Sequence, residues 1–269
     1  MDRGHEIEAA LIVYGDAPQT VEQRLADLQT LSEFRLLPRA TETIEDIYFD
    51  TTDRSLRARL IALRIRRLDG TLLLTMKADS QPALTGEDRL EIESPWSPTV
   101  LHNVMSELRN RGVGVPASPG ELGPSDPTAV MASLGLEEVQ TRVTRRTPRD
   151  VVAGSAETQP LAELAIDAVT YRFRDGRVRL LEVEVEAKGG GDASTVERVA
   201  ASLHAAFPSQ LRPWPYGKLP TGKAIQELLA DGKLDGLIGE DRMLRPAAYE
   251  QIVGLLNRGA ISQSRETPD

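Results

Sequence analysis

The stretch LEVEVEAK, residues 181–188, places a glutamate at every second position with a valine between successive glutamates. Valine favours β-strands, and alternate residues of a strand point to the same face. The stretch therefore predicts a strand with Glu182, Glu184 and Glu186 on one face, spaced about 6.5–7 Å apart. Three like charges at that spacing repel one another, so the arrangement needs a physical reason.

A second acidic strand is predicted just upstream, joined to the first by a hairpin. Asp-Gly between two strand-like runs is a strong hairpin signal, and here it is Asp175-Gly176. With these two residues as the loop, Asp167 is predicted opposite Glu184, Ala165 opposite Glu186, and Glu163 opposite Lys188. The charged face then carries Glu163, Asp167, Glu182, Glu184 and Glu186. The other face carries Leu164, Ile166, Val183 and Val185.

A second hairpin, around Asp69-Gly70, has the opposite sign of charge. Its predicted register sets Arg64 opposite Thr75 and Lys77 opposite Ala62, which brings Arg64, Arg66 and Lys77 to one face. The residues behind them are apolar: Leu63, Ile65, Leu74 and Met76. Charge is therefore segregated by sign between the two hairpins.

Two explanations of the charged faces compete. In the first, the charges face water and the apolar faces form the core, as in many antiparallel sheets. In the second, the charges face the inside of a closed barrel. Segregation by sign favours the second, because a solvated face usually mixes charges. Acidic walls bind hard divalent cations, and basic walls bind phosphate oxygens.

The amino-acid composition excludes several kinds of site and function. The chain has 269 residues, of which 40% are hydrophobic and 27% charged, as in ordinary globular proteins. The absence of cysteine excludes disulfides, thiolate metal sites and a cysteine nucleophile. No apolar run is long enough for a membrane span, and the polar N-terminus is no signal peptide, so we expect a cytoplasmic location. The net charge of −9 argues against membrane-surface binding and general nucleic-acid binding.

The chain is organised as strands with a few helices. The predicted strands are residues 5–13, 46–50, 60–68, 71–78, 87–94, 139–152, 161–173 and 177–188. The predicted helices are residues 20–34, 99–111, 127–134, 194–206, 222–231 and 246–257. Two of these helices are predicted to begin with capping boxes, at Thr20 and at Ser194.

A series of short motifs resembles the CYTH superfamily, the triphosphate tunnel metalloenzymes. In chain order they are Glu6-Ile-Glu8, Tyr48-Phe-Asp-Thr51, Leu63-Arg-Ile-Arg66, Thr75-Met-Lys77, Arg89-Leu-Glu-Ile-Glu93, Thr144-Arg-Arg-Thr147, Glu163-Leu-Ala-Ile-Asp167, Glu182-Val-Glu-Val-Glu186 and Gly217-Lys218. Each motif alone is weak, but their shared order is specific. The resemblance covers residues 5 to about 230.

The resemblance implies a closed eight-stranded antiparallel β-barrel of the α+β class with helices outside. Residues 1–231 are the expected tunnel domain and residues 232–269 a short helical appendage. The implied ligands are Mg²⁺ or Mn²⁺ and a triphosphate-containing small molecule. The implied metal ligands are Glu6, Glu8, Asp167, Glu182, Glu184 and Glu186, with Glu6 and Glu8 also catalytic. The implied phosphate-binding residues are Arg64, Arg66, Lys77, Arg145, Arg146 and Lys218, supported by Glu91, Glu93 and Glu163.

One position departs from the family pattern. The family signature Glu-x-Glu-x-Lys ends here in Ala10, which offers neither charge nor proton. The expected function is metal-dependent triphosphate hydrolysis; a non-catalytic polyphosphate- or nucleotide-binding protein and an adenylate cyclase are the alternatives. The identity of the triphosphate stays open. Leu255 and Leu256 of the appendage leave open a contact with the barrel or with a second copy, which would be a homodimer.

Overall fold

The computed structural model describes residues 7–79, 89–116, 126–154, 159–174 and 176–263. The described residues form two compact units. The first unit lies within residues 43–143, and the second comprises residues 7–42 and those from 144 onward.

The described residues contain eleven strands and seven helices. The strands are β1 (Glu8–Val13), β2 (Thr30–Leu31), β3 (Phe34–Pro38), β4 (Glu42–Thr51), β5 (Ile61–Leu68), β6 (Thr71–Asp79), β7 (Arg89–Pro95), β8 (Leu136–Ala153), β9 (Ala162–Phe173), β10 (Gly176–Ala187) and β11 (Leu211–Pro213). The helices are α1 (Pro18–Asp27), α2 (Ser55–Ala58), α3 (Pro98–Asn110), α4 (Pro127–Ser133), α5 (Ala193–Ala206), α6 (Lys218–Ala230) and α7 (Pro246–Gln263). None of the described helices is long and apolar enough to cross a membrane.

The strands pair in the order β11-β1-β10-β9-β8-β4-β5-β6-β7, with β3 paired to β8 and β2 to β3. Antiparallel registers join β1 to β10, β10 to β9, β5 to β6 and β6 to β7. The prediction of an antiparallel α+β fold is therefore confirmed. The closed eight-stranded barrel is not confirmed, because the sheet has eleven strands and its pairing path is open among the described residues. One reason is that β11 occupies the second edge of β1, at residues 11–13.

The β5–β6 hairpin has the predicted register. Arg64 lies opposite Thr75 and Lys77 opposite Ala62. Asp69 and Gly70 form the two-residue loop, both with positive φ, of 46° and 85°. This is the backbone that a tight hairpin turn demands and that glycine adopts without strain. The basic side chains thus share one face as predicted.

The β9–β10 hairpin differs from its predicted register by two residues. Asp167 lies opposite Glu182, not Glu184, and Glu163 lies opposite Glu186, not Lys188. Phe173 pairs with Gly176, so Gly176 belongs to the strand and not to the loop, whereas Asp175 lies outside the described residues. Since side chains alternate with a period of two, the shift leaves every residue on its predicted face.

The N-terminal helix is shorter than predicted. Helix α1 ends at Asp27, and the rest of the predicted helix forms β2 and β3, which are joined by a turn with Ser32 at a φ of 51°. Neither predicted capping box is present. Helix α1 begins after Ala17 with Pro18 in its first turn, and α5 is capped by the carboxylate of Asp192, which accepts a hydrogen bond from Thr195 N.

The apolar faces of both predicted hairpins are buried under helices. In the first unit, Leu63, Ile65, Leu74 and Met76 share a core with side chains of α3 and α4. In the second unit, Leu164, Ile166, Val183 and Val185 share a core with side chains of α1 and α5. Fully burying one such side chain contributes about 1.5–3 kcal/mol. These cores fix the charged face of each hairpin on the side opposite its apolar face.

Helices α6 and α7 cover the apolar part of the face that carries the charges in the second unit. Toward the hairpin end of β9 and β10 this face becomes apolar, and α6 and α7 pack on it. The apolar cluster includes Val169, Tyr171, Val178 and Leu180 from the strands and Ala248, Tyr249 and Ile252 from α7. Leu255 and Leu256 are partly buried against the same cluster. The segment after residue 231 therefore contributes core residues to the second unit.

Candidate active site

The first unit contains a buried cluster of charged groups around Asp46. We call the set Asp46, Tyr48, Arg64, Arg66 and Arg142 the Asp46 cluster. Arg66 donates to Asp46 Oδ1 from Nε at 2.8 Å, and Arg142 donates to Asp46 Oδ2 from Nη2 at 2.7 Å. Arg64 Nε lies 3.7 Å from Asp46 Oδ1. The hydroxyl of Tyr48 accepts hydrogen bonds from Arg64 at 3.0 Å and Arg142 at 2.8 Å.

The Asp46 cluster carries an excess of positive charge away from water. Burial alone would raise the pKa of Asp46, but the guanidinium groups of Arg64, Arg142 and Arg66 hold it well below its ordinary value. Burial would likewise raise the pKa of Tyr48, yet Arg142 and Arg64 lower it overall. Three guanidinium groups therefore share Asp46, and two of them, Arg64 and Arg66, also lie 3.5 Å and 3.8 Å from Glu93 Oε2. Such a cluster favours an anionic ligand, because guanidinium groups match phosphate oxygens in geometry.

A second layer of side chains on β6 and β7 holds the basic groups in place. Lys77 Nζ lies 3.1 Å from Glu91 Oε1, and Arg64 Nη2 lies 3.5 Å from Glu93 Oε2. Thr75 donates a hydrogen bond of 2.8 Å to the same oxygen of Glu93. Burial opposes the ionisation of Glu93, but Arg66 and the hydrogen bond from Thr75 lower its pKa. The placement of Glu91 and Glu93 suits residues that orient the basic side chains.

The second unit contains a cluster of carboxylates around Lys218. We call the set Glu163, Asp167, Glu182, Glu184, Arg146 and Lys218 the Lys218 cluster. Lys218 Nζ lies 3.0 Å from Asp167 Oδ2 and 3.4 Å from Glu182 Oε1, and it donates a hydrogen bond to Glu184 Oε1. Asp167 and Glu182 are 0% and 1% exposed. The alternative in which these charges face water therefore does not hold for them.

Arg146 lies on the same face and contacts the other side of the cluster. Its Nε and Nη2 donate to the two oxygens of Asp167, both at 2.8 Å, and Nη2 also donates to Glu184 Oε2 at 2.6 Å. Glu163 lies further away, with Oε1 3.6 Å from Arg146 Nη1, and receives a hydrogen bond from Arg39. Burial opposes the charge of Arg146 and of Lys218, but the carboxylates raise the pKa of both.

Of the remaining predicted site residues, Glu8, Glu186 and Arg145 lie outside these clusters. Glu6 falls outside the described residues. Glu8 is exposed at the start of β1, where its Cα pairs with that of Glu186. Glu186 contacts Lys188 at 2.6 Å. Arg145 points away from Arg146 and forms an ion pair with Glu22 of α1.

The sequence prediction missed Asp46 and Arg142, which are the most buried charged members of the Asp46 cluster, at 1% and 3% exposure. A signal for Arg142 exists in the sequence. It precedes Arg146 by four residues in one strand, so both fall on the same face of β8. Asp46 likewise precedes Tyr48 by two residues in β4. Tyr48 belongs to the Tyr48-Phe-Asp-Thr51 motif, and its hydroxyl joins two guanidinium groups.

The carboxylate oxygens of the Lys218 cluster are ligands of the kind that divalent cations bind. Several carboxylate oxygens converge on one cationic atom, and hard divalent cations prefer such oxygen ligands. As the side chains are placed, that atom is the ammonium nitrogen of Lys218. Within the described ranges, no group of three or more His, Cys, Asp or Glu side chains is arranged to hold a metal ion. A metal therefore requires these side chains to rearrange around it.

The amino-acid sequence is similar to that of known proteins from one family. The sequence profile of the CYTH domain matches residues 17–209. Human thiamine-triphosphatase is 28% identical over 183 residues, which cover 68% of this chain and 71% of the human protein. The enzyme of the same name from Macaca fascicularis is 27% identical over a stretch of the same length. The solved structure of HpAC1 from Hippeastrum, described with a dominant triphosphatase activity, aligns at a TM-score of 0.48 and 17% identity, covering 82% of this chain and 96% of that one.

Proposed function

Because the chain belongs to the CYTH family, we propose that it hydrolyses a triphosphate with the help of a divalent metal ion. The observation that supports the proposal is the excess positive charge of the Asp46 cluster, in which three guanidinium groups contact Asp46 and two of them also contact Glu93. The similarity to thiamine-triphosphatases supports an organic triphosphate as the substrate, and inorganic tripolyphosphate is the alternative within the same substrate class.

Arg64, Arg66 and Lys77 are proposed to bind phosphate oxygens in the first unit. Arg64 Nε is a buried donor with no hydrogen-bond acceptor among the described residues. A buried donor left unsatisfied costs about 1–3 kcal/mol, which a phosphate oxygen would recover. Arg66 is held by Asp46 and Lys77 by Glu91, so each cation is positioned before the substrate arrives. In the second unit, Lys218 and Arg146 are proposed to do the same, with Arg145 a further candidate.

The carboxylates of the second unit are proposed to hold the metal. The proposed ligands are Asp167, Glu182, Glu184 and Glu186, together with Glu6 and Glu8 of the Glu6-Ile-Glu8 motif. When bound, a Mg²⁺ or Mn²⁺ ion would supply neutralisation of phosphate charge. Glu6 and Glu8 are also proposed to order the attacking water and accept its proton, since a carboxylate is a suitable general base.

Ala10 gives a second candidate function. Ala10 lies on β1 with its Cα paired to that of Glu184, and it packs against the apolar cluster that α6 and α7 cover. An alanine there can neither bind a phosphate oxygen nor transfer a proton. This observation favours a protein that binds a polyphosphate or nucleotide without cleaving it. An adenylate cyclase has no observation of its own in its favour.

The test is phosphate release from tripolyphosphate and from thiamine triphosphate, each with Mg²⁺, with Mn²⁺ and with a chelator. We expect metal-dependent release by the wild type and its loss in Glu184→Ala. Glu197→Ala, which changes an exposed glutamate of α5, is the control and should keep full activity. Calorimetric binding without release, converted to release by Ala10→Lys, would support the binding function instead. Neither binding nor release of either compound, and the same result with ATP, would refute both.

A further inference from the structure

We propose that the ammonium group of Lys218 neutralises the carboxylates of the Lys218 cluster in the free protein. A divalent metal ion then binds these carboxylates by displacing the ammonium group. This inference rests on the proposed function, because it assumes that the cluster is the metal site. It goes further in assigning Lys218 two successive partners: the carboxylates in the free protein, and a phosphate oxygen after the metal has taken its place.

The geometry around Lys218 shows that its ammonium group occupies the position that a metal ion would need. An ammonium group has three donors, and three carboxylates surround this one: Asp167 at 3.0 Å, Glu182 at 3.4 Å, and Glu184 in closest contact. The lysine side chain is only 9% exposed. Its nitrogen therefore lies where the oxygens converge, and a metal ion bound to the same three carboxylates would need that position.

The charge of the Lys218 cluster favours exchange of the ammonium group for the metal ion over binding of both. The Lys218 cluster contains four carboxylates and two cationic side chains. Arg39, which is outside the cluster, forms a further ion pair with Glu163. Replacing one ammonium by a divalent ion reduces the excess negative charge by one unit. Adding the metal while the ammonium remains would set two cations against each other among the same oxygens, which is unfavourable in a buried site.

The attachment of the two cations explains why Lys218 is the one to leave. Arg146 lies in the middle of β8, and its planar fork holds both oxygens of Asp167. Lys218 is the first residue of α6, directly after Gly217, and its charge is a point at the end of a flexible stem. A lysine at a helix start can redirect its side chain by rotation about side-chain bonds, without moving a strand.

Displacement couples the two ligands. The metal must compete with Lys218, so its apparent affinity is lowered by the fraction of time that the ammonium holds the carboxylates. Occupancy nine-tenths of the time lowers the affinity about tenfold. Once released, the ammonium is available to a phosphate oxygen. Metal and polyphosphate should therefore strengthen each other's binding, and this coupling is reciprocal.

The first test is calorimetric titration of the full chain with Mn²⁺ alone. We expect Lys218→Met to bind Mn²⁺ about tenfold more tightly than the wild type. Lys233→Met removes an exposed lysine paired with Asp231 and should leave the affinity unchanged. Thermal melting gives an independent readout: without metal Lys218→Met should melt below the wild type, and Mn²⁺ should raise its melting temperature more. Equal or weaker Mn²⁺ binding by Lys218→Met would overturn the proposal.

A second test needs no variant of Lys218. Lysines of the wild-type chain are reductively methylated with and without Mn²⁺, and the modified peptides are quantified by mass spectrometry. We expect Mn²⁺ to increase methylation of Lys218 several-fold while Lys233 stays constant. Unchanged methylation of Lys218 at saturating Mn²⁺ would overturn the exchange. Hydrolysis of tripolyphosphate combined with that result would leave the proposed function standing, whereas exchange without hydrolysis would leave only the inference.

Discussion

Replacing Asp46 with asparagine removes the carboxylate that Arg64, Arg66 and Arg142 all contact. Asparagine has nearly the same shape, so the substitution leaves no cavity and tests charge alone. Asp46 is 1% exposed and Arg142 is 3% exposed, so the pair lies in the buried class of ion pairs. Removing one partner of such a pair costs about 3–5 kcal/mol. Asparagine keeps one acceptor, so we expect a loss near the lower limit, about 3 kcal/mol.

The assay is urea unfolding followed by circular dichroism at pH 7, with Glu45→Gln as the matched control. Glu45 is the preceding residue of the same strand and forms an exposed ion pair with Arg67 at 3.7 Å. Exposed pairs of this kind contribute about 0–1 kcal/mol. A loss of about 3 kcal/mol corresponds to a fall in melting temperature of about 6–12 °C for a chain of this size. Equal free energies of unfolding for the two variants would refute the reasoning.

The same substitution makes a prediction about pH. The pKa of Asp46 is lower in the folded protein than in the unfolded chain, so its ionised form stabilises the fold above the unfolded pKa of about 4. That stability is lost as the pH falls from there toward the lower folded pKa. The Asp46→Asn variant has no such group. The difference in unfolding free energy between wild type and variant should therefore shrink as the pH falls below about 4.

Two further predictions concern other features of the fold. In Tyr48→Phe, Arg64 and Arg142 each lose a buried acceptor, so the free energy of unfolding should fall by about 1–3 kcal/mol in the same urea assay. An unchanged value would show that water or another group replaces the hydroxyl. A chain that ends at residue 231 loses Tyr249 and Ile252, each buried and each contributing about 1.5–3 kcal/mol, and should show a broadened, lowered thermal transition. A chain ending at residue 263 is the control, and equal melting of the two would contradict the prediction.

The sequence correctly predicts which side chains share a face of a strand, because the alternation of side chains along a strand is a local property. Two residues in one strand share a face whatever the rest of the chain does, so Arg64 and Arg66, or Glu182 and Glu184, are placed by counting. The register of β9 with β10 is not local in this sense. An Asp-Gly pair indicates a turn, but which two residues form the loop depends on the pairing of the whole strand, and Gly176 pairs with Phe173.

Partners that meet through tertiary contacts were beyond prediction from the sequence. Lys218 reaches Asp167 and Glu184 from a helix far along the chain, and no spacing rule relates these residues. Asp46 meets Arg142 across 96 residues of sequence. The leucines at positions 25, 28 and 31 have helical spacing, yet Leu31 lies in β2, because the packing of this segment overrides its helical preference. Local pattern thus predicts which charges share a face, and tertiary packing decides which of them pair.

The period-two alternation of side chains along β9 and β10 has a consequence for insertions and deletions during evolution. A two-residue change in either strand keeps Glu182 and Glu184 on the face that meets Lys218. A change of one residue would turn them toward the helix-covered core and bring Val183 among the cations. We therefore expect the lengths of these strands in related proteins to differ by even numbers of residues, or a single insertion to be absorbed by a β-bulge ahead of Glu182.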